Sequence, residues 1–268
     1  MSLLPLSVSG RPALEVATEA ARRAGQVLMS HYRTGLEVRH KGRGNVVTEA
    51  DLLAERAILD LIQAEFPDDT IMSEESERQE GSSPHIWIID PLDGSKNYAY
   101  GLPHFCVAIG LTQGSEPLLG VTYDPLKDEL YYAQRGKGAF LNGMPIHVSE
   151  KPTVRESLVG LDLGYDDATG KKVLELIHGI WPGVQGFRIM GSIGMGLAYV
   201  ASGRLDLYFH QYSYPWDMAS GIPLVREAGG VITDRAGMPI AVTSRGILAG
   251  NASVHADFLK IAKALDGR

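Results

Sequence analysis

At residues 87–98 the chain reads WIIDPLDGSKNY, an apolar strand that runs into a polar turn. The strand ends at Asp90, a proline then turns the chain, and Asp93 follows three positions after Asp90. We therefore expect both carboxylates at one rim of a sheet, and we expect the turn to leave the Leu92 carbonyl free beside them. Mg²⁺ prefers carboxylates, carbonyls and water as ligands, so this spacing suits a magnesium site.

The same turn offers groups that bind an anion. Gly94 permits close approach of the backbone, and the amides of Gly94 and Ser95 would face a phosphate if they open a helix. Taken alone, the sequence DPLDG fits an ordinary surface turn equally well, because Asp, Pro and Gly are common in turns. A functional interpretation therefore depends on acidic residues elsewhere in the chain.

Three further acidic residues lie where secondary structure is predicted to begin or end. Asp51 follows Thr48 at the predicted start of a helix, as in a capping box. Glu74 follows a short apolar strand, and Asp217 opens another helix. Each residue by itself also fits a structural role, as a helix cap, a dipole partner or a solvated loop residue. Together, four acidic sites at strand ends or helix starts indicate a functional centre.

The composition is that of a globular protein. The 268 residues are 44% hydrophobic and 21% charged, which excludes a disordered, collagen-like or coiled-coil chain. There are 25 Lys and Arg against 32 Asp and Glu, and the net charge of −7 disfavours nucleic acid or an acidic membrane as a partner. The single cysteine, Cys106, excludes a disulfide framework and is interpreted as a small buried apolar residue.

The N-terminal sequence lacks the pattern of a secretory signal. No apolar run approaches the roughly 18 residues that a membrane-spanning helix needs. From these two observations we expect a soluble cytoplasmic protein.

Hydrophobic periodicity predicts helices first, then strands, then a mixture of the two. Helices are expected at residues 11–33, from residue 48, and at 171–179, 191–202, 217–228 and 256–265. Strands are expected at residues 70–73, 85–90, 105–112, 118–123, 129–134, 139–141, 158–161, 205–209, 231–233 and 246–250, with a polar loop at 40–47.

The order of these elements indicates an α+β fold in which helices are layered against sheets. The closely spaced strands in the middle of the chain favour an antiparallel sheet. We place a boundary near residue 150, which gives an N-terminal half, 1–150, and a C-terminal half, 151–268.

These motifs resemble the signatures of a known family. Residues 87–98 resemble the first signature of the inositol monophosphatase family, whose members are Mg²⁺-dependent, lithium-sensitive phosphatases. Residues 216–230, WDMASGIPLVREAGG, resemble the second signature, and two shorter elements match at 74–76 and 48–51. The resemblance covers residues 13–265. It implies a layered αβαβα sandwich of the sugar-phosphatase type, with an antiparallel N-terminal sheet and a mixed C-terminal sheet.

The resemblance also implies a role for each matching position. The implied ligands of two or three Mg²⁺ ions are Glu74, Asp90, the Leu92 carbonyl, Asp93 and Asp217. The implied catalytic residues are Asp51, Ser95 and Glu74, with Asp51 and Ser95 positioning and deprotonating a metal-activated water. The implied substrate contacts are Gly94, Ser95, Gly191, Ser192, His210 and Asp217. The implied reaction is direct attack of that water on inositol 1-phosphate or a related polyol phosphate.

Several positions depart from the family pattern, among them Ser73, which stands where a glycine often precedes the glutamate pair. Ser95 stands where threonine is usual, which preserves the hydroxyl. His210 stands where inositol phosphatases carry a glutamate that binds a substrate hydroxyl. Lys96 follows the hydroxyl residue, as a lysine often does in the sister group that cleaves 3′-phosphoadenosine 5′-phosphate. The family also carries a loop lysine close to the site, and it aligns near Lys41. The substrate is therefore open between a polyol phosphate, fructose 1,6-bisphosphate and 3′-phosphoadenosine 5′-phosphate.

A different class of function is a regulatory binding protein on the same fold. The intact acidic set argues against it, because clustered carboxylates repel one another without a metal. By resemblance we expect a homodimer that acts on a small phosphorylated substrate and binds neither nucleic acid nor membranes.

Overall fold

The computed structural model describes residues 4–34, 38–42 and 45–266. The helices of this part of the chain are α1 (Ala13–His31), α2 (Glu49–Glu65), α3 (Ser95–Ala99), α4 (Asp167–Ile180), α5 (Ile193–Ala201), α6 (Pro215–Met218), α7 (Gly221–Glu227) and α8 (Ala252–Asp266), with a 3-10 turn at Val154–Glu156. None of these described helices is long and apolar enough to cross a membrane.

The strands form one hairpin and two sheets. In chain order they are β1 (Val38–Gly42), β2 (Asn45–Thr48), β3 (Thr70–Ser73), β4 (His85–Asp93), β5 (Cys106–Gln113), β6 (Glu116–Asp124), β7 (Glu129–Gln134), β8 (Ala139–Leu141), β9 (Met144–Pro145), β10 (Leu158–Leu161), β11 (Gly186–Ile189), β12 (Leu207–His210), β13 (Val231–Thr233) and β14 (Ile247–Gly250). Strands β1 and β2 pair with each other in an antiparallel hairpin.

The larger sheet contains seven strands, β3 to β9, in sequence order. Every neighbouring pair is antiparallel except β3 and β4, which run parallel. The smaller sheet has the order β11-β10-β12-β14-β13 and mixes parallel and antiparallel pairs. The predicted α+β class and the mixed C-terminal sheet are confirmed, and the antiparallel N-terminal sheet carries one parallel pair at its edge.

The helices and sheets stack in five layers. Helices α1 and α2 pack on the outer face of the larger sheet. Helices α5 and α7 contact both sheets and fill the space between them. Helices α4 and α8 contact each other on the outer face of the smaller sheet. This order is the αβαβα sandwich that the family resemblance implies.

The apolar stripe of α1 shows how the sequence specifies the first layer. Ala17, Ala21, Ala24 and Leu28 recur at steps of three and four residues, so they lie on one face of a helix. All four side chains are fully buried in the core cluster beneath the larger sheet. The predicted helix over 11–33 is therefore confirmed, with ends at Ala13 and His31.

The predicted helix over 217–228 is interrupted. It forms two pieces, α6 and α7, with the break at Ala219 and Ser220. Pro223 explains the break, because a proline lacks the N–H that would donate to the carbonyl four residues earlier, at Ala219. Helix α6 also starts earlier than predicted, with Pro215 at its first position.

The prediction of a polar loop over 40–47 is also wrong, because β1 and β2 pair with each other across most of this range. Strand β11 and helix α3 were not expected as separate elements. Helix α8 begins four residues before the predicted position 256, because the Asn251 Oδ1 accepts the N–H of Val254 at 3.0 Å and caps the helix. The boundary near residue 150 stays a prediction, and α5 and α7 pack against sheets on both sides of it.

Candidate active site

One cavity of about 290 Å³ gathers side chains from the ends of several strands and the starts of three helices. It lies where β4, β10 and β12 end and where α3, α5 and α6 begin. The predicted site residues that line it are Glu74, Asp90, Leu92, Asp93, Gly94, Ser95, Gly191, Ser192, His210 and Asp217. Of the predicted site residues, Asp51 alone does not line this cavity.

A bulge at the end of β4 turns Asp90 and Asp93 to the same side. Asp90 pairs with Ala108 and Asp93 with Cys106, so three steps along β4 match two along β5. Since side chains two apart on β5 share a face, the extra residue on β4 brings both carboxylates to one face. The N–H of Leu92 donates to the Asp90 Oδ1 at 3.0 Å and closes the turn. The rim of carboxylates that the sequence predicted is therefore present.

The start of α5 holds the carboxylate of Asp93. The Ser192 hydroxyl donates to the Asp93 Oδ2 at 2.6 Å, and the Gly194 N–H donates to the same oxygen at 2.5 Å. A Cβ on Gly194 would lie 2.8 Å from this oxygen, so only glycine fits there. The Cys106 thiol donates to the Asp93 Oδ2 at 3.6 Å, and burial raises the pKa of this thiol. Cys106 is buried, as predicted.

Asp217 reaches the cavity because α6 packs closely on the larger sheet. A Cβ on Gly120 would lie 1.9 Å from the Ser220 carbonyl oxygen, so the close approach of β6 to the α6–α7 junction requires glycine. The Tyr214 N–H donates to the Asp217 Oδ2 at 2.7 Å, and the Tyr165 hydroxyl donates to it at 3.3 Å. The carboxylate is therefore fixed from two sides.

Glu74 joins the cluster through the parallel pairing of β3 with β4. Its N–H donates to the Ile89 carbonyl at 3.2 Å, which places Glu74 beside the end of the strand that carries Asp90. Thus β3, β4 and α6 deliver four acidic side chains to one cavity from widely separated parts of the sequence.

The carboxylates of this cluster repel one another. Burial raises the pKa of Asp90 well above its usual range, and the negative charges of Glu74, Asp93 and Asp217 raise it further. Burial also raises the pKa of Asp217, and the charges of Asp93 and Glu74 act in the same direction. A divalent cation between these groups would remove the repulsion.

The donor set fits Mg²⁺ in its chemistry. It consists of oxygen atoms alone, four carboxylates and the Leu92 carbonyl, and Mg²⁺ is a hard cation that binds oxygen. Within the described residues, however, no three His, Cys, Asp or Glu side chains form a ready-made metal site. The carboxylates of Asp93 and Asp217 accept protein hydrogen bonds. Mg²⁺ keeps several water ligands in proteins, so these carboxylates could hold it partly through water.

Asp51 is buried in the first turn of α2 and does not line this cavity. The predicted capping box is confirmed, because both the N–H and the hydroxyl of Thr48 donate to the Asp51 Oδ2, at 2.8 and 2.6 Å. Burial raises the pKa of Asp51 to about 6, and the charge of Glu75 contributes in the same direction. The Ser95 hydroxyl instead donates to the Leu92 carbonyl at 2.9 Å. Asp51 and Ser95 are therefore not joined by a direct hydrogen bond.

Sequence reasoning missed Asp162, which also lines the cavity. Its carboxylate accepts the N–H of Gly191 and the hydroxyl of Tyr208, each at 2.5 Å. It therefore holds the segment that carries Ser192. The signal was present in the sequence, because Asp162 directly follows the strand β10 as Asp90 follows the apolar part of β4. Tyr165, three residues later, was missed as well and has no comparable sequence signal.

The buried acids predict an unusual pH dependence of stability in the metal-free protein. Burial raises the pKa of both Asp51 and Asp162 to about 6. A carboxyl group with a raised pKa stabilises the fold below its unfolded pKa, and this stabilisation is lost as the pH rises through the folded value. We expect the free energy of unfolding in chelator to fall between about pH 4 and pH 6 on account of these groups.

Urea unfolding in chelator at several pH values checks this expectation. Asp162→Asn removes one of the titrating groups, so the fall should be smaller in this variant than in the wild type. Identical pH profiles for the two proteins would contradict the assignment.

Comparisons with known proteins show which family the chain resembles. The profile of the inositol monophosphatase family matches residues 10–266. Inositol monophosphatase 1 of Solanum lycopersicum is 38% identical over 254 residues, which cover 92% of this chain and 93% of that protein. The fructose-1,6-bisphosphatase/inositol-1-monophosphatase of Thermotoga maritima is 37% identical over 249 residues, 92% of this chain and 94% of that protein.

A solved structure shows the same similarity at the level of the fold. The crystal structure of the extragenic suppressor protein suhB from Bartonella henselae matches with a TM-score of 0.89 at 35% identity, covering 93% of this chain and 98% of that one. Profile, sequence and fold thus agree over nearly the whole chain, and they include every strand and helix that lines the cavity. The chain belongs to the inositol monophosphatase family of phosphatases.

Proposed function

We propose that this protein is a Mg²⁺-dependent phosphomonoesterase that hydrolyses inositol 1-phosphate or a related polyol phosphate. The observation that carries the proposal is the convergence of Glu74, Asp90, Asp93 and Asp217 on one cavity in a chain of this family. Buried like charges cost stability unless a cation joins them, so their presence together favours a metal-dependent site.

We propose the ligand sets that the family resemblance implies. Glu74, Asp90 and the Leu92 carbonyl would hold one ion, and Asp90, Asp93 and Asp217 would hold a second, with a third weaker ion near Glu74. When bound, the ions supply a water of lowered pKa as the nucleophile and offset the charge of the phosphoryl group.

The turn after β4 is proposed to hold the phosphoryl group. Gly94 has a φ of 96°, and a Cβ there would lie 3.1 Å from the His104 carbonyl oxygen and 3.2 Å from the Gly191 carbonyl oxygen. Only glycine therefore lets the chain turn at this point, and we propose that the amides of Gly94 and Ser95 contact the phosphate. The Ser95 hydroxyl fixes the Leu92 carbonyl next to it.

Asp51 is proposed as the proton acceptor through a relay, because it does not line the cavity. Its pKa of about 6 suits a group that takes up a proton near neutral pH. Gly191, Ser192 and His210 line the cavity and are proposed to contact the alcohol portion of the substrate.

Fructose 1,6-bisphosphate is a second candidate substrate. The Thermotoga maritima relative is named for activity on both fructose 1,6-bisphosphate and inositol 1-phosphate, and it is 37% identical to this chain. The predicted homodimer and the predicted cytoplasmic location stay predictions.

A phosphate-release panel tests the proposed function. The substrates are inositol 1-phosphate, fructose 1,6-bisphosphate, 3′-phosphoadenosine 5′-phosphate and histidinol phosphate, each with Mg²⁺, with chelator and with Mg²⁺ plus Li⁺. We expect inositol 1-phosphate to be hydrolysed with Mg²⁺, with about 10²-fold or greater loss in chelator that added Mg²⁺ restores. Li⁺ should inhibit. Turnover undiminished by chelator would exclude the metal-dependent mechanism.

A further inference from the structure

Another cavity lies on the outer face of the smaller sheet, between α4 and α8. Its volume is about 740 Å³, against about 290 Å³ for the candidate active site. Each helix lines it with residues three and four apart, which share one helix face. These residues are Lys172, Glu175 and Leu176 of α4 and Phe258, Ala262 and Leu265 of α8. The facing sides of the two helices therefore form its walls.

The inner part of this cavity is apolar. Phe209 of β12 and Leu248 of β14 are buried and line it, and Phe258 of α8 packs on Phe209 with ring centroids 5.0 Å apart. The two helices meet at their C-terminal ends, where a Cβ on Gly179 would lie 2.8 Å from the Leu265 side chain. An apolar group placed in the cavity would remove the surface of these side chains from water, which is favourable.

The exposed part of the lining carries an excess of positive charge. Lys172 and Arg235 are exposed, and neither lies within ion-pair distance of an acidic side chain in the described part of the chain. Glu175, the acidic residue of the lining, pairs with Lys171 at 3.9 Å. The half-buried Gln211 also lines the cavity, and its amide makes no hydrogen bond to another described residue. The opening therefore offers two cations and an amide donor to an anion.

We propose that this cavity is a binding site for a small amphipathic anion. The apolar body of the ligand lies against Phe209 and Phe258, and Lys172 and Arg235 hold its single anionic group. The cavity has the size and the mostly apolar lining, with a few polar groups, that are typical of small-molecule sites. This inference does not rest on the proposed function, because His210 is the one residue that lines both cavities.

A fluorescence titration with 1-anilinonaphthalene-8-sulfonate tests the proposal, because this probe combines an aromatic body with one sulfonate. We expect saturable binding to the wild-type protein. Octanoate should displace the probe, and octan-1-ol and acetate should displace it at least about tenfold less effectively, because each lacks one of the two features. Failure of octanoate to displace the probe would overturn the proposal, and so would equal displacement by octanoate and octan-1-ol.

Charge-reversal variants test the role of the two cations. Lys172→Glu and Arg235→Glu should each raise the Kd of the probe about tenfold or more, because a cation beside the sulfonate is replaced by a repelling carboxylate. Lys260→Glu is the matched control, because Lys260 is an exposed lysine of α8 that does not line the cavity. Its Kd should stay within about threefold of the wild-type value. Unchanged affinity in both cavity variants, or equal weakening in all three variants, would overturn the proposal.

Ala262→Phe tests the location of the site without a change of charge. Ala262 is half-buried in the lining, so a phenyl ring there should occupy the space that the apolar body needs, and probe binding should be lost. The melting temperature of each variant shows whether it is folded. Probe binding with wild-type affinity to folded Ala262→Phe would overturn the proposal. If this variant does not fold, the two exposed charge variants decide the question.

Discussion

Asp90→Asn is expected to abolish phosphate release and, at the same time, to stabilise the metal-free protein. The amide keeps an oxygen that can accept the Leu92 N–H, so the turn after β4 should survive. The substitution removes the charge whose pKa is raised by burial and by Glu74, Asp93 and Asp217. Loss of that charge should lower kcat by about 10³-fold, a magnitude typical of removing one essential electrostatic group.

The same substitution should increase the stability of the metal-free protein, because the carboxylates repel one another only in the folded state. In chelator we expect the melting temperature of Asp90→Asn to exceed that of the wild type. For a chain of this size the increase should be roughly 2–4 °C for each kcal/mol gained in the free energy of unfolding. With Mg²⁺ the order should reverse, because the ion stabilises only the folded state that binds it. Thermal unfolding with and without Mg²⁺ and a phosphate-release assay measure the two effects.

Asp206→Asn is the matched control for this experiment. Asp206 is also buried, but its carboxylate accepts the N–H of Leu158 at 2.7 Å and does not line the cavity. The control should keep its turnover and its response to Mg²⁺. Normal turnover of Asp90→Asn, or a Mg²⁺-induced shift in melting temperature equal to that of the wild type, would show that Asp90 is not a metal ligand.

Ser95→Ala is expected to lower kcat by about 10²-fold with little change in KM. The Ser95 hydroxyl donates to the Leu92 carbonyl at 2.9 Å, which is one of the proposed metal ligands, and it lies at the first position of α3 on the cavity wall. Removal of a positioned hydroxyl that takes part in proton transfer typically costs 10²- to 10⁴-fold, and the value here should lie near about 10².

Ser95→Thr distinguishes an effect of losing the hydroxyl from an effect of altered side-chain packing. Threonine keeps the hydroxyl and is the residue that the family usually carries, so the variant should retain activity within about threefold of the wild type. Steady-state kinetics on inositol 1-phosphate give both constants. If Ala and Thr variants lose the same activity, the effect comes from packing and the hydroxyl has no role in the reaction.

The positions of the acidic residues were readable from the sequence because the signals are local. An apolar run that stops at a carboxylate shows that a strand delivers it to a rim, and this pattern holds for Asp90 and also for Asp162, which was overlooked. The pairing of Thr48 with Asp51 is likewise a local contact three residues apart, and it was predicted correctly as a capping box. The role implied for Asp51 was not local, and this residue does not line the cavity.

Other features depended on contacts that sequence patterns do not contain. The hairpin of β1 and β2 is polar and short, so its composition resembles a loop. The cavity between α4 and α8 depends on how two helices from separate parts of the chain pack on the smaller sheet. None of these relations leaves a periodic signal in the chain.

The amino-acid sequence alone determined the class of fold, the acidic residue types and the places where elements begin or end, because these follow from short-range periodicity, capping and turn chemistry. The tertiary structure decided which of those residues meet. Asp217 lies beside Asp90 because glycines in the larger sheet let α6 approach closely, and Asp93 shares a face with Asp90 because β4 contains one extra residue. Such convergence arises from packing between distant segments, which only the folded chain brings together.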